Sequence, residues 1–181
     1  MTRLGTTMAT TFATGMVAVT AVFNPLPRLI WNASASVPVG LYALHRTDGP
    51  PLGSLVAIMP PEPLAGWLAT RGYLPRNVPL MKHVAAKAGQ RVCRIGADVS
   101  VDGRIIGEAR KRDSSGRPLP VWKGCRRLRA GELFVMNPAV PDSLDGRYFG
   151  PLSVTTIIGR ATPLLTRLRP DAPLAWRGIQ P

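Results

Sequence analysis

Prolines and glycines are spread along nearly the whole chain, and this distribution limits the length of any helix. The 181 residues include 19 prolines, from Pro25 to Pro181, and 18 glycines. An interior proline removes a helical hydrogen bond and both residue types mark turns, so no stretch after residue 30 has a long uninterrupted helical pattern. A hydrophobic content of 45% still provides a core for one domain. The chain is therefore predicted to be mainly β, with one sheet-rich and loop-rich domain.

The N-terminal segment differs from the rest of the chain because it carries no charge between Arg3 and Arg28. Its densest apolar part, Met8 to Phe23, lies in an uncharged run long enough to cross a bilayer, which takes about 20 residues. Threonines and glycines dilute the run, so a permanent anchor, a cleavable signal sequence and a buried N-terminal helix remain alternatives. We predict a membrane anchor or signal segment over 1–28 and a globular domain over 29–181.

A short loop follows this segment and carries two serines. The run N-A-S-A-S-V-P-V-G-L-Y from Asn32 to Tyr42 contains Ser34 and Ser36, and Pro38 and Gly40 then shape the backbone. Such a loop can present a hydroxyl, but a serine hydroxyl is a weak nucleophile until a base takes its proton. The sequence A-S-A within the loop resembles a signal cleavage site, and cleavage there would remove Ser34. If the loop is catalytic, we expect the N-terminal segment to stay attached.

The candidate base is Lys82, in the apolar run P-L-M-K-H-V. If residues 78–85 form a strand, the leucine and valine two positions on either side share a face with Lys82. Burial among them lowers the pKa of a lysine, by up to roughly 3 to 5 units for a fully buried group. A neutral amine can then accept a proton near pH 7. We predict a Ser36/Lys82 dyad. Lys87 is the rival lysine, but it falls on the other face of the strand.

Two histidines raise the alternative of a serine and histidine pair. Strand alternation turns His83 away from Lys82, and His45 lies at the end of a predicted strand. Structural or surface roles are therefore predicted for both histidines.

The rest of the chain contains mostly strand and turn signals. A short helix or a capping insertion is predicted within Glu62 to Tyr73, a hairpin turn at Asp102 and Gly103, and an exposed excursion from Ala109 to Gly124. Further strands are predicted at G-L-Y-A-L-H (40–45), S-L-V-A-I-M (54–59), L-F-V-M (133–136) and V-T-T-I-I-G-R-A (154–161).

The chain is strongly basic, with a formal net charge of +13. Nucleic acid, an anionic membrane surface and an acidic partner are all compatible with such a charge. The basic residues are dispersed, and neither a recognition-helix pattern nor an aromatic-rich RNA-binding motif is present. We therefore expect no nucleic-acid partner and favour contact with anionic lipid headgroups.

The two cysteines, Cys93 and Cys125, are the remaining signal. An even number of cysteines in a chain that leaves the cytoplasm indicates a disulfide. Two cysteines without a histidine or cysteine cluster do not make a zinc site, so we predict no metal and no cofactor.

Three separated segments, in the same order, resemble the type I signal peptidase family. The serine loop S-A-S-V-P-V-G-L-Y is similar to its nucleophile box, and L-M-K-H-V-A-A-K-A-G-Q-R-V is similar to its lysine box. The segment F-V-M-N-P-A-V-P-D-S-L-D-G-R-Y-F-G-P-L, followed by I-I-G-R-A, resembles its late box. Together with W-K-G-C, these segments look most like the conjugative-transfer peptidases of the TraF type, which mature pilin subunits. The resemblance implies a signal peptidase/LexA-like, sheet-rich catalytic domain.

The resemblance also implies roles for matching residues. Ser36 would be the nucleophile and Lys82 the general base, with the Ser34 hydroxyl and the Ser36 backbone N–H as an oxyanion hole. Ser143 would orient the lysine amine, and Asp145 and Arg147 would form a supporting ion pair behind it. A neutral hydroxyl suits this place, because a carboxylate in direct contact would keep the amine protonated.

The implied function is that of a membrane-associated serine endopeptidase at the periplasmic face of the inner membrane, or in the periplasm if the N-terminal segment is cleaved. Its partners would be a pilin precursor or another exported precursor, and inner-membrane lipid. If the amine that resolves the acyl-enzyme is the pilin's own N-terminus, the product is cyclic. A general signal peptidase I and a non-catalytic envelope component of the transfer machinery remain the alternatives. The sequence departs from the general bacterial signal peptidases at Pro38, His83, Gln90 and Asn137-Pro138. These departures bear on substrate specificity.

Overall fold

The structure is a computed structural model that describes residues 3–23, 28–169 and 171–178. Three α-helices and twelve β-strands are described, so the predicted mainly β class is confirmed. The helices are α1 (Arg3–Phe23), α2 (Leu64–Thr70) and α3 (Gly146–Phe149). The strands are β1 (Leu29–Asn32), β2 (Val39–His45), β3 (Leu55–Ile58), β4 (Leu80–Lys87), β5 (Arg91–Ile95), β6 (Asp98–Val101), β7 (Arg104–Glu108), β8 (Gly124–Arg127), β9 (Glu132–Met136), β10 (Leu152–Ser153), β11 (Ile157–Arg167) and β12 (Ala175–Trp176).

The larger sheet brings distant parts of the chain next to each other. Its strand order is β1-β2-β11-β3-β4-β9-β10, and β12 pairs with β11. The pairings are antiparallel, and β11 lies between β2 and β3 although it follows them by about a hundred residues. This order places the serine loop, which joins β1 to β2, in the same sheet as the strand of Lys82.

The strands β3 and β9, which flank β4, are buried on both faces. Val56, Ala57 and Ile58 are fully inaccessible, as are Phe134 and Val135. Their side chains alternate between different apolar clusters on the two sides of the sheet, so burial does not alternate along these strands. This core holds β4, the strand of Lys82, between its two neighbours.

The smaller sheet has the order β7-β6-β5-β8. Its hairpin turns at Asp102 and Gly103, which both have positive φ values (48° and 83°), as the Asp-Gly signal predicted. Cys93 of β5 lies opposite Cys125 of β8, and the two form the predicted disulfide, which is therefore confirmed.

The predicted exposed excursion over 109–124 was wrong in part. Ala109 and Leu119 are buried in the core cluster between the sheets. The Trp122 indole packs against that cluster and donates a hydrogen bond to the Gly146 carbonyl oxygen, 2.9 Å away. A few apolar residues therefore fix this polar segment to the core. The polar composition of the segment did not predict these contacts.

Two other elements refine the predictions from sequence. The short helix within 62–73 is confirmed as α2. The last strand begins later and runs further than predicted, because Val154–Thr156 forms a short 3₁₀ turn before β11.

The N-terminal segment forms α1, and the side chains of residues 3–19 are exposed. The alternative of a buried N-terminal helix is therefore wrong over these residues. In the part of the chain that is described, no helix combines the length and the apolar character needed to span a bilayer. Of the predicted segment 1–28, residues 1–2 and 24–27 lie outside the described residues.

Candidate active site

The serine loop is a tight turn that Asn32 fixes from inside. The buried Asn32 side chain donates from Nδ2 to the carbonyl oxygens of Ser34 (2.8 Å) and Val37 (3.1 Å). Its Oδ1 accepts the backbone N–H of Ser34 at 3.1 Å. Gly40 closes the loop where β2 meets β11, since a Cβ there would lie 2.1 Å from the Leu165 carbonyl oxygen. The loop is therefore shaped by one buried amide at its start and one obligatory glycine at its end.

The direction of the hydroxyl protons in this loop follows from the fixed acceptor on Asn32. The Ser34 hydroxyl donates to Asn32 Oδ1 at 2.8 Å, because that oxygen carries no proton. Ser34 Oγ also lies 3.0 Å from Ser36 Oγ. Since the Ser34 proton is already used, Ser36 must be the donor of this second bond. In this arrangement the Ser34 proton is not available for the oxyanion role expected of it, which would require the proton to turn away from Asn32.

Lys82 lies in the interior, as the apolar alternation of its strand predicted. Only 2% of the residue is exposed, and its Nζ donates to Ser143 Oγ at 2.9 Å. Desolvation lowers the pKa of Lys82 to about 8, while the charge of Asp145 opposes this change and that of Arg147 adds to it. The amine is thus a base that can be unprotonated near neutral pH.

Asp145 and Arg147 form a fully buried ion pair behind Ser143. Arg147 Nη2 is 2.9 Å from Asp145 Oδ2, and Arg147 Nε donates to Asp145 Oδ1 at the same distance. Arg147 also donates to the carbonyl oxygens of Val140 and Ser143. Asp145 caps α3 by accepting the Arg147 N–H. The pair therefore fixes the backbone of Ser143, and through it the acceptor of the lysine amine.

Asn137 connects the serine loop to the lysine strand, whereas the sequence indicated only that it departs from the general signal peptidases at a position that bears on substrate specificity. Its buried Nδ2 donates to the carbonyl oxygens of Ser36 (2.8 Å) and Met81 (3.2 Å). Its Oδ1 accepts the backbone N–H of His83 at 3.1 Å, and its own N–H donates to Asp145 at 3.0 Å. Through its side chain and its backbone N–H, Asn137 thus holds together the three segments that carry the predicted site residues.

The histidines and Lys87 lie outside this arrangement. His83 Nδ1 is 2.9 Å from Asn137 Oδ1, which can only accept, so Nδ1 carries a proton. The His83 ring lines a different cavity from Lys82, as strand alternation predicted. His45 is exposed at the end of β2, and Lys87 is half-buried at the far end of β4.

Ser36 lines two cavities. A cavity of about 280 Å³ is lined by Ser34, Ser36, Lys82 and Ser143, so four of the predicted site residues meet there. No hydrogen bond joins Ser36 to Lys82 among the described residues, but both face this one space. Ser36 also lines a groove of about 790 Å³, whose other residues include His83, Asn137 and the end of β11.

The chemistry open to this site is proton transfer between hydroxyls and an amine. No cluster of histidine, cysteine or carboxylate residues suited to a metal ion occurs over residues 3–23, 28–169 and 171–178. Sequence reasoning did not predict the structural roles of Asn32 and Asn137 in the site. The available signal was that Asn32 begins the serine loop, N-A-S-A-S, and that Asn137 lies within the late segment, in M-N-P.

Comparison with known proteins identifies a family and several relatives. The family model for signal peptidase, peptidase S26, matches residues 1–165. A probable conjugal transfer protein TraF of Sinorhizobium fredii (strain NBRC 101917 / NGR234) is 37% identical over 145 residues, which cover 75% of this chain and 76% of that protein. A plasmid transfer protein TraF of Escherichia coli is 34% identical over 147 residues, with 75% and 81% covered. The crystal structure of a signal peptidase I from Enterococcus faecalis V583 has 16% identity and a TM-score of 0.38, covering 65% of this chain and 100% of that one.

Proposed function

Because the chain belongs to the signal peptidase family, peptidase S26, we propose that it is a serine endopeptidase with Ser36 as nucleophile and Lys82 as general base. The observation that carries this proposal is the buried Lys82 amine, whose pKa is about 8, in the same small cavity as the Ser36 side chain. A lysine of this kind exchanges protons at neutral pH without a histidine.

The reaction is acyl transfer. Ser36 Oγ attacks the scissile carbonyl carbon while Lys82 Nζ takes the hydroxyl proton, and the carbonyl oxygen becomes an oxyanion. When this intermediate collapses, the peptide C–N bond breaks and Lys82 returns the proton to the leaving amine. Water or a second amine then attacks the ester on Ser36 with Lys82 again as base. One proton is taken and one returned in each half of the cycle.

Ser143 and the ion pair of Asp145 and Arg147 hold the Lys82 amine in position for proton transfer. The Ser143 hydroxyl at 2.9 Å fixes the position of Nζ without adding a charge in contact with it. Asp145 lies one layer further back, where its carboxylate is engaged by Arg147 and the Asn137 N–H. The nearest acceptor therefore leaves the amine free to lose its proton.

Substrate binding has to redirect the hydroxyls of the serine loop. In this structure the Ser36 proton points to Ser34, and the Ser34 proton points to Asn32. Catalytic hydrogen bonds often form only with substrate bound. We propose that the bound carbonyl draws the Ser34 proton into the oxyanion hole, which also frees Ser36 to donate to Lys82.

The substrate we propose is a conjugative pilin precursor. The relatives named as conjugal or plasmid transfer proteins TraF support a peptidase role in conjugation. The acyl-enzyme can pass its acyl group to water, which gives a shortened linear pilin, or to the pilin's own N-terminal amine, which gives a cyclic one.

We propose that the catalytic domain, 29–181, works at the periplasmic face of the inner membrane and that 1–28 associates with the bilayer. The disulfide supports an oxidising compartment. A row of paired residues across the sheet edge, Trp31-Leu41-Leu165-Trp176, leaves its two tryptophans 51% and 63% exposed. Tryptophan favours the membrane interface, so this row and the exposed apolar side chains of α1 support contact with lipid.

Mass spectrometry of the pilin tests the function directly. Cells that contain this protein should accumulate pilin shorter than the precursor, and cells that lack it should accumulate the precursor. A cyclic product would be lighter than the matching linear one by one water molecule. Identical pilin masses in the two strains would refute the proposal. Expression of the protein in cells depleted of their general signal peptidase would show whether it restores precursor processing, and this result would separate it from that enzyme.

Peptidase activity should rise as the pH passes through about 8, the pKa of Lys82. Only the unprotonated amine can take the serine proton, so kcat/KM on a peptide substrate should follow a single ionisation on its acid side. The Lys87→Met variant should have the same profile, since Lys87 lies outside the site. A rate that is flat across this range would contradict a neutral lysine as the base.

Replacing Asn137 with aspartate should lower kcat by about 100-fold, a size typical of a misplaced catalytic group. The new carboxylate oxygen would face the carbonyl oxygens of Ser36 and Met81, which Asn137 now binds as a donor. The substitution should displace the serine loop relative to the Lys82 amine, which slows the chemical step more than it weakens substrate binding. KM should therefore change much less than kcat.

The matched control is Asn77→Asp, an exposed position at the turn before β4. It should leave kcat unchanged. If the loss of activity in Asn137→Asp matches the loss of folded protein, and the fraction that stays folded is fully active, Asn137 has a purely structural role.

A further inference from the structure

The cavity that contains Ser36 and Lys82 has a wall formed by α2 and the residues that follow it. Three residues of this wall line the cavity: Leu68, Tyr73 and Leu74. Among the described residues, none of those that line the cavity belongs to the 109–124 segment, yet this segment binds the wall. We propose that the 109–124 segment sets the width of the cavity, with Asp113 as the positioning residue and Tyr73 as the part of the wall that it fixes. The width limits the size of the substrate group that reaches the dyad, so this inference rests on the proposed function.

Asp113 is placed by its own turn and binds Tyr73 with its second oxygen. Its Oδ1 accepts the backbone N–H groups of Ser115 (2.9 Å) and Arg117 (2.8 Å), which closes the turn D-S-S-G-R. Its Oδ2 accepts the Tyr73 hydroxyl at 2.5 Å and Arg117 Nε at 2.7 Å. Only 9% of the Asp113 side chain is exposed, so these donors face little competition from water. The carboxylate therefore fixes the hydroxyl end of the Tyr73 ring.

Two arginines add contacts between the same two parts of the chain. Arg117 Nη1 donates to the Arg71 carbonyl oxygen, and Arg71 Nη1 donates to the Pro118 carbonyl oxygen, both at 2.8 Å. The Arg117 guanidinium also lies over the Tyr73 ring, 4.7 Å from its centre. The end of α2 is thus bound to residues 113–118 through its backbone, and Tyr73 is bound both at its hydroxyl and on its ring.

The 109–124 segment is also fixed to a second part of the chain that lines the cavity. The Arg110 backbone N–H donates to the Tyr148 hydroxyl at 3.1 Å. Tyr148 belongs to α3, which follows shortly after the lining residues Ser143 and Leu144. The segment therefore connects α2 to α3 across a distance that the large sheet does not set, and loosening its turn should let the Tyr73 wall move.

A wall fixed in this way selects substrate groups by size. A group too large for the cavity of about 280 Å³ has to displace Tyr73, which breaks its hydrogen bond to Asp113. In apolar binding sites a single methylene changes the specificity of an enzyme by roughly 10-fold to 200-fold. Small groups should therefore reach the dyad much more readily than large ones.

Chemical modification of Lys82 measures this width without relying on catalysis. The full-length chain is treated with acetic anhydride or with the larger benzoic anhydride at about pH 9, where an amine with a pKa of about 8 is mostly unprotonated. Mass spectrometry compares the labelling of Lys82 with that of the exposed Lys123 in the same sample. Relative to Lys123, we expect Lys82 of the unaltered protein to react about tenfold or more faster with the acetyl reagent than with the benzoyl reagent.

Two variants test whether Asp113 and its contact set this preference. Asp113→Ala removes the carboxylate, and Tyr73→Phe removes only the hydroxyl that it binds, which keeps the test open if Asp113→Ala does not fold. Each should reduce the preference for the acetyl reagent by about threefold or more, in the range expected when a fixed wall becomes adjustable. The matched control Asp98→Ala, at an exposed position of β6, should keep it. No preference in the unaltered protein, or the same preference in both variants, would overturn the inference.

Cleavage of two peptide series separates this inference from the proposed function. One series enlarges the residue before the scissile bond from alanine to valine to leucine, and the other enlarges the residue after it. In at least one series kcat/KM should fall with size, and the fall should be less steep in Tyr73→Phe. If no peptide is cleaved but the labelling preference depends on Asp113, the role of the segment stands and the peptidase proposal does not. If the peptides are cleaved with the same dependence on size in the unaltered protein and both variants, the inference fails and the peptidase proposal stands.

Discussion

Ser36→Ala and Lys82→Met should each reduce the rate of peptide cleavage by roughly four to six orders of magnitude. Alanine removes the attacking oxygen, and methionine keeps the length and volume of the lysine while removing the base. Because the two groups act in one step, the double variant should lose little more than either single variant. Initial rates on a peptide with a small apolar residue before the scissile bond would measure these effects.

Lys82→Met also separates catalysis from folding. Replacing a buried charged group with an apolar one of similar shape is often neutral or stabilising, so the free energy of unfolding should not fall. The folded pKa of Lys82 is about 8 instead of 10.5, so between these values the unfolded chain binds more protons at this site. The stability contributed by Lys82 therefore rises with pH across that range, and this dependence should vanish in Lys82→Met.

The controls for the dyad lie on the same scaffold. Lys87→Met changes a lysine on β4 that is outside the cavity, and Ser100→Ala changes a serine in the smaller sheet. Both should retain the activity of the unaltered protein. A Lys82→Met protein that keeps a tenth or more of the activity would require another base, and His83 would be the first to test.

The second large effect is on stability. Replacing Asp145 with asparagine should lower the free energy of unfolding by about 3 to 5 kcal/mol, the usual cost of leaving one partner of a buried ion pair uncompensated. Arg147 would keep its charge at 1% exposure, with only carbonyl and amide oxygens around it. Urea denaturation at neutral pH would measure the loss.

Asp142→Asn is the matched control for this substitution. Asp142 lies in the same loop and pairs with Arg110, but 66% of its side chain is exposed. Exposed pairs typically contribute no more than about 1 kcal/mol, so this variant should unfold almost like the unaltered protein. Equal destabilisation by the two substitutions would contradict the assigned role of the buried pair.

The ion pair should also tune the pH profile of the enzyme. The Asp145 carboxylate raises the pKa of Lys82 and the Arg147 guanidinium lowers it. The rise in activity should therefore move to lower pH in Asp145→Asn and to higher pH in Arg147→Met. Shifts in opposite directions would not arise from a general loss of folding, so this measurement tests the electrostatic connection by itself.

Several features could be predicted because they depend on neighbours in sequence. The apolar residues two positions before and after Lys82 predicted its burial, and the Asp102-Gly103 pair predicted a hairpin. The cysteine pair predicted the disulfide. Each signal is local: a strand repeats every two residues, an Asp-Gly pair favours positive φ, and cysteines pair in oxidising compartments.

Other features depend on which strands become neighbours. The buried Asn137 amide follows β9, which pairs with the strand of Lys82, and it also reaches Ser36, 101 positions earlier. Asn32 fixes the serine hydroxyls through contacts within its own turn, but asparagine is common in turns and its spacing alone did not indicate this role. The burial of Ala109 and Leu119 in the 109–124 segment could not be predicted, because these residues and Trp122 contact residues far away in sequence.

The sequence by itself determined that the chain is mainly β, that Ser36 lies in a shaped loop and that Lys82 faces an apolar interior. Only the tertiary structure decided how these parts meet: one cavity for Ser36 and Lys82, an asparagine that joins the backbones of Ser36 and Met81, and a second groove beside the end of β11. The physical reason is that periodicity and turn chemistry act over a few residues, whereas a hydrogen-bond partner or a cavity wall is set by strand order, which no local pattern encodes.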